Sequence, residues 1–315
     1  MKSLFSILFL LLLQMILIAE AQNDSLNTSE FSYGFWLTSV YPTDKPNIAG
    51  KLILPSITQE NKPPIWKIAQ WGTQYPLNSG VFQQQNETTW FIENEAKKVM
   101  LLKKNNHWAI LLNCNGITEY NGKLRKYGEP WAHVLIEKHF PQEIKIKEYD
   151  LKFEIKFQIT RCMCDSTLKE KVDPHLHTAQ ITAYWTVKNT NPRSPDYEDY
   201  FWFGIPIFDA RYTIPPEYIS KDVGSAYTTN KLIAVIDGNR FYKGNTGDGT
   251  PKMLNVTLNS YIEESLNKGK NQGFLKNSNI DDLSITSFNL GWEVTGPYNA
   301  EIEISHISMP CIPKK

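Results

Sequence analysis

Two stretches of strict alternation constrain this chain more than anything else in it. Leu151, Phe153, Ile155, Phe157 and Ile159 alternate with Lys152, Glu154, Lys156, Gln158 and Thr160. Ala179, Ile181, Ala183, Trp185 and Val187 alternate in the same way with Gln180, Thr182, Tyr184 and Thr186. A period of two sends one set of side chains to a dry face of a strand and the other to a wet face. Strands with one dry face belong to antiparallel layers that pack face to face.

Shorter apolar runs extend the pattern along the chain. Strands are expected at Phe31–Val40, Trp66–Gly72, Trp90–Glu93, Val99–Leu102 and Trp108–Asn113. Later ones fall at Phe201–Phe208, Lys231–Ile236, Arg240–Tyr242, Ser284–Trp292 and Asn299–Ile307. Asn115-Gly116, Asn121-Gly122 and Asp237-Gly238 mark turns. One stretch breaks the period: Leu258, Tyr261, Ile262 and Leu266 share a helical face in Thr257–Lys268, with Gly269 at the C-cap position. The expectation is therefore an all-β, antiparallel β-sandwich with one short helix, a single domain over residues 33–315. The loops Pro192–Tyr197 and Thr213–Thr229 are long enough for a functional role to be expected.

The first residues set the compartment. Lys2 precedes an apolar run from Leu4 to Ala19, and Ala19-Glu20-Ala21 forms an A-x-A cleavage site. The run is shorter than the ~20 residues that span a bilayer. Residues 1–21 thus read as a signal peptide, 22–32 as a disordered leader, and the protein as secreted, extracellular or periplasmic, with no membrane attachment after signal removal. Lys and Arg balance Asp and Glu at 33 each, which gives no electrostatic case for nucleic acid. Cys114, Cys162, Cys164 and Cys311 can oxidise after export, and the sequence leaves their connectivity open. Asn23, Asn27, Asn86 and Asn255 open glycosylation sequons that matter only in a eukaryotic host.

Candidate chemistry lies in three places. On a strand from Trp131 to Phe140, His133, Leu135, Glu137 and His139 share a face. A carboxylate flanked by imidazoles can act as a general base, with Glu137 and His139 as the catalytic candidates, or the three can ligand a metal; the alternative is a solvated or sugar-contacting face. Asp209 and Arg211 end an apolar strand; they can grip sugar hydroxyls, with Arg211 instead able to neutralise a uronate carboxylate, or form a structural ion pair. Tyr212 and Trp131 stand beside these groups as stacking candidates. The pair His175 and His177 is two ligands short of a metal site, so neither metal nor cofactor is expected. No G-x-S-x-G, H-E-x-x-H or P-loop occurs.

The segment Leu290-Gly291-Trp292-Glu293 through Glu301-Ile302-Glu303-Ile304 resembles a closing strand pair of the concanavalin A-like jelly-roll group of secreted carbohydrate-active proteins. The resemblance implies a jelly roll and a polysaccharide or glycan as partner. The group's E-x-D-x-E and Q-I-H signatures are absent, so its catalytic residues do not carry over. The leading expectation is a carbohydrate-binding protein with His133, Asp209, Arg211, Tyr212 and Trp131 on the ligand. A glycoside hydrolase or polysaccharide lyase on the same fold is the alternative, and a cell-surface adhesion protein is a third. Terminal sequencing of exported protein is expected to begin at Gln22; a start at Met1 would overturn the signal-peptide reading.

Overall fold

The apolar sets of the two alternating strands face each other across the interior. The computed structural model describes residues 24–55, 62–105, 107–223 and 228–314. Residues 1–21, read from the sequence as a signal peptide, lie outside the described residues. In chain order the first strands are β1 (Phe35–Leu37), β2 (Gly50–Ile53), β3 (Trp66–Ala69), β4 (Gly80–Val81), β5 (Gln83–Asn86) and β6 (Thr89–Glu93). Next come β7 (Lys97–Lys104), β8 (His107–Asn115), β9 (Ala132–Lys145), β10 (Tyr149–Cys164), β11 (Ala179–Asn189) and β12 (Tyr200–Asp209). The last are β13 (Tyr218–Lys221), β14 (Leu232–Val235), β15 (Lys252–Thr257), β16 (Leu283–Val294), β17 (Tyr298–Ser308) and β18 (Cys311–Pro313). Among the described residues there are two α-helices: a single turn, α1 (Gly116–Glu119), and α2 (Asn259–Asn271).

The strands form two sheets. The larger has ten strands in the order β13-β14-β12-β11-β16-β9-β3-β1-β2-β4. The smaller runs β15-β10-β17-β8-β7-β6-β5, with β18 on β10. Pairing is antiparallel except at β1–β3, β2–β4 and β12–β14. The protein is thus the expected all-β sandwich.

The core lies between the sheets. Phe153 of β10 meets Trp185 of β11 edge-on at 4.8 Å, and both contact Phe288 of β16, at 6.0 and 5.1 Å. Trp292 joins the layers a second way, donating its indole N–H to the Leu112 carbonyl at 3.0 Å. The opposite sets, Lys152 to Thr160 and Gln180 to Thr186, turn away from this interior, as alternation requires.

Three expectations need correction. Residues 24–32, read as a disordered leader, are packed: Thr28–Tyr33 is a 3-10 helix, and Leu26 and Phe31 are fully buried. Phe31 meets Trp66 at 5.3 Å, Asp24 accepts the Met309 N–H at 2.7 Å, and Glu30 accepts from both Trp66 Nε1 and Lys138 Nζ, at 2.8 and 2.6 Å. Polar composition hid this because Glu30 serves Lys138, a cation on the inward face of β9 that must be paired once buried. Helix α2 runs through Gly269 to Asn271, so this glycine is not the cap. A Cβ there would stand 2.3 Å from Leu232 Cδ2, and the missing side chain lets α2 lie on β14. Gly238–Arg240, read as a turn entering a strand, is a 3-10 helix instead.

Phe157 is buried on the same dry face and packs edge-on against Tyr242 at 6.4 Å. Phe157→Ala is expected to cost about 3–5 kcal/mol in urea unfolding. A loss under about 1 kcal/mol would place Phe157 outside the core.

Candidate functional site

The outward side chains of the ten-stranded sheet make one continuous surface, and strand register fixes their neighbours. Gly204, Tyr184, Asn289, Glu137, Lys67, Trp36 and Lys51 form a row across seven adjacent strands. The next row along the strands holds Trp202, Thr186, Ser287 and His139. Two residues further, Tyr200 is paired with Lys188. A third row, at the other end, holds Asp209, Gln180, Glu293 and His133.

Glu137 is the electrostatic centre. It is buried, with Lys67 Nζ at 3.3 Å and His139 Nε2 at 3.1 Å. Burial raises its carboxyl pKa, but the hydrogen bond and charge of His139 and the ammonium of Lys67 together outweigh burial and hold it below the ordinary 4.5. The group is an anion held by two partners.

Aromatic rings flank it on both sides. A Cβ on Gly204 would meet Tyr184 Cε1 at 2.8 Å, so the glycine makes room for the Tyr184 ring on the sheet surface. Burial, then the nearby Glu293 charge, pushes the Tyr184 phenol well above its usual range, leaving it a neutral donor. Trp202 stands edge-on to Tyr200 at 5.7 Å. On the far side, Trp36 donates its N–H to the Pro64 carbonyl at 2.9 Å and lies under Lys51 Nζ at 4.9 Å. Thr186 and Ser287 share a hydroxyl hydrogen bond of 2.7 Å between the rings and His139.

The third row is a closed network. Arg211 donates from Nε and Nη2 to the Asp209 carboxylate, at 2.9 and 2.5 Å, and from Nη2 to Gln180 Oε1 at 3.1 Å. Gln180 passes its own N–H to Glu293 at 2.7 Å, and Glu293 faces His133 Nε2 at 3.8 Å. His133 Nδ1 lies 2.8 Å from the Trp131 carbonyl and 3.1 Å from that of Trp71, so it carries the proton. Thr178 occupies a further Asp209 lone pair at 2.7 Å. Asp209 and Arg211 therefore have the bonding of a structural ion pair at a strand end. Tyr212 is exposed beneath the Arg211 guanidinium at 5.3 Å, and Trp131 is half-buried against Arg125 at 5.9 Å.

The sequence-expected residues thus divide into two groups. Glu137 and His139 touch; His133 sits four residues, roughly 13 Å, further along β9. Asp209 is three strands from β9 as well, so about 14 Å across the sheet separates it from β9 before that offset along the strands is added. A glycosidase places its carboxyl pair about 5–9.5 Å apart, so Glu137 and Asp209 do not form one. The same offset keeps Arg211 from His139, the juxtaposition a lyase would use. His175 and His177 are not a ligand pair either. His177 is buried, taking the Asp173 N–H at 2.9 Å and facing the Arg125 carbonyl at 2.8 Å, while His175 is exposed. Among the described residues no group of three or more His, Cys, Asp or Glu could hold a metal.

Sequence reasoning missed Trp36, Lys67, Asn289 and Glu293 as members of this surface. Alternation within Phe35-Trp36-Leu37 carried the signal for Trp36; which strand lies beside β9 did not show in the sequence.

No family model matches the chain, and no curated protein matches it. Solved structures to which it is similar include a xyloglucanase, a xylanase and an endoglucanase. One is a family 12 xyloglucanase from Bacillus licheniformis in complex with ligand: 10% identity, TM-score 0.43, covering 79% of this chain and 94% of that one. Another is the family 11 xylanase from Neocallimastix patriciarum: 7% identity, TM-score 0.36, covering 73% and 98%. A third is endoglucanase cel12A from Rhodothermus marinus: 8% identity, TM-score 0.37, covering 72% and 93%. Likeness at this level transfers no activity to the chain.

The Glu137 shift has a pH signature. A carboxyl held below its ordinary value contributes stability above that value, and the contribution is lost as pH falls through the folded-state pKa. Wild type should therefore lose more of its urea midpoint between about pH 6 and pH 3 than Glu137→Gln does. Equal losses in the two proteins would show that Glu137 is not held ionised by His139 and Lys67.

Proposed function

We propose that this is a secreted carbohydrate-binding protein that holds an extended polysaccharide along the outer face of its ten-stranded sheet. The single observation that carries the reading is the arrangement around Glu137. Aromatic rings at Tyr184 and Trp36, in the row of a buried anion, and at Trp202, in the next row, stand on both sides of it, with hydroxyl and amide groups at Thr186, Ser287 and Asn289 between them. Rings supply flat apolar area to the faces of sugars, and hydroxyls and amides exchange hydrogen bonds with their edges. Of the cations on this face, Lys67 and Lys188 are paired with Glu137 and Glu198, and Lys51 lies over the Trp36 ring. A neutral polymer fits such a face better than an acidic one, which would require free cations.

Binding is favoured over hydrolysis because the one anion at the centre is engaged by two partners and Asp209 stands far from it. Secretion is supported by the A-x-A site after a short apolar run. No helix among the described residues is long and apolar enough to cross a membrane.

Retention on immobilised neutral and acidic polysaccharides, with an assay for new reducing ends and unsaturated products, tests the reading. Wild type should bind a neutral polymer and release no product. Trp202→Ala should weaken retention about fivefold or more, the loss expected of a contact worth over 1 kcal/mol, with little change in melting. Binding to no polymer would sink the proposal, and product release that stops in Glu137→Gln would turn it toward catalysis.

A further inference from the structure

A second buried ion pair lies outside the sugar-facing surface, at one end of the sandwich. Lys97 opens β7, Glu119 ends α1, and Thr73 sits in the loop after β3. Lys97 is 1% exposed and Glu119 is 0%. Lys97 Nζ contacts both Glu119 Oε1 and Thr73 Oγ1. The Thr73 hydroxyl lies 2.7 Å from Oε1 and 2.9 Å from Oε2 of the same carboxylate. The Gln74 backbone N–H donates to Oε2 at 3.0 Å. Cys114, the cross-strand neighbour of Lys97, is buried too.

Two charges held dry are stable only with very good compensation, and a neutral product removes the need for it. Burial brings the Lys97 ammonium down to about 8, which eases transfer of its proton to the adjoining carboxylate and so formation of the nucleophilic amine. Amine, carboxylate and a hydroxyl touching both are brought together without a diffusing partner.

We propose that Lys97 and Glu119 become joined by an isopeptide bond in the folded protein, with Thr73 as the proton relay. A proton first moves from the ammonium to the carboxylate, giving amine and carboxylic acid. Nζ attacks Cδ of Glu119 and the N–Cδ bond forms. The nitrogen gives one proton to Thr73 Oγ1 while the Thr73 hydroxyl proton passes to Oε1. The Cδ–Oε1 bond breaks and Oε1 leaves as water. Oε2 remains as the amide oxygen, held by the Gln74 N–H. Ammonium and carboxylate become one neutral amide and one water, with no oxidant, reductant or cofactor. The link ties β7 to α1 and closes the chain between residues 97 and 119 at the sandwich end.

Mass spectrometry of a tryptic digest of the purified wild-type protein tests this. A modified Lys97 resists trypsin, so the segment 68–98 should appear joined to 105–123, lighter than the two peptides by one water. Cleavage after Lys97, with both peptides free at full mass, would overturn the proposal, and that measurement needs no variant to fold. Thr73→Ser, which keeps the hydroxyl, should retain the joined peptide; Thr73→Val should lose it while still melting cooperatively. A joined peptide in Thr73→Val, or none in Thr73→Ser, would overturn the role of Thr73.

Discussion

The contact of Phe153 with Trp185 and Phe288 holds the rest of the structure in place. These three rings come from β10 in one sheet and from β11 and β16 in the other, and none is exposed. Each buries roughly 150–250 Å² of largely apolar surface, and edge-on packing adds to that through the ring quadrupoles. Because the side-chain period of a strand is two, fixing Trp185 inward fixes Tyr184 and Thr186 outward. The interior contact therefore sets the outer surface: a one-residue slip of β11 would bury Tyr184 and expose Trp185.

That coupling explains why the outer face of the large sheet is both polar and rigid. β9, β11 and β16 carry the deepest core residues and the outward groups Glu137, Tyr184 and Asn289 on alternate positions. Groups built on strands anchored in this way are held in one geometry, which the proposed sugar-binding role requires in order to avoid ordering costs on binding. The same sheet carries two kinds of polar cluster. Around Asp209, Arg211 and Gln180 the hydrogen bonds close on themselves. Around Glu137 two partners hold the charge while hydroxyls, an amide and rings stand beside it.

Much of the fold was legible in the sequence, and for a local reason. Leu151–Thr160 and Ala179–Lys188 show their faces directly, and the β6, β7 and β8 strands follow from apolar runs separated by turn residues. The errors lie where a distant residue supplies what local sequence lacks. Glu30 looks like a solvated charge until Lys138, far away in the chain, is seen buried beside it. Gly269 looks like a helix stop until Leu232 is found where its side chain would be. The site was legible only in part. Glu137 and His139 could be paired from spacing alone, since residues two apart on a strand share a face. Lys67, Asn289 and Trp36 join them through register between strands remote in sequence.

The sequence by itself determined the class of fold and which face of each long strand is wet, because both depend on a periodicity carried by neighbouring residues. Only the tertiary structure decided which wet faces lie side by side. Strand order in a sheet is set by packing and hydrogen bonding between segments far apart in the chain, and no local pattern records it. That order puts Glu137 between Lys67 and Asn289, keeps Asp209 away from it, and brings Lys97, Glu119 and Thr73 together in one dry site.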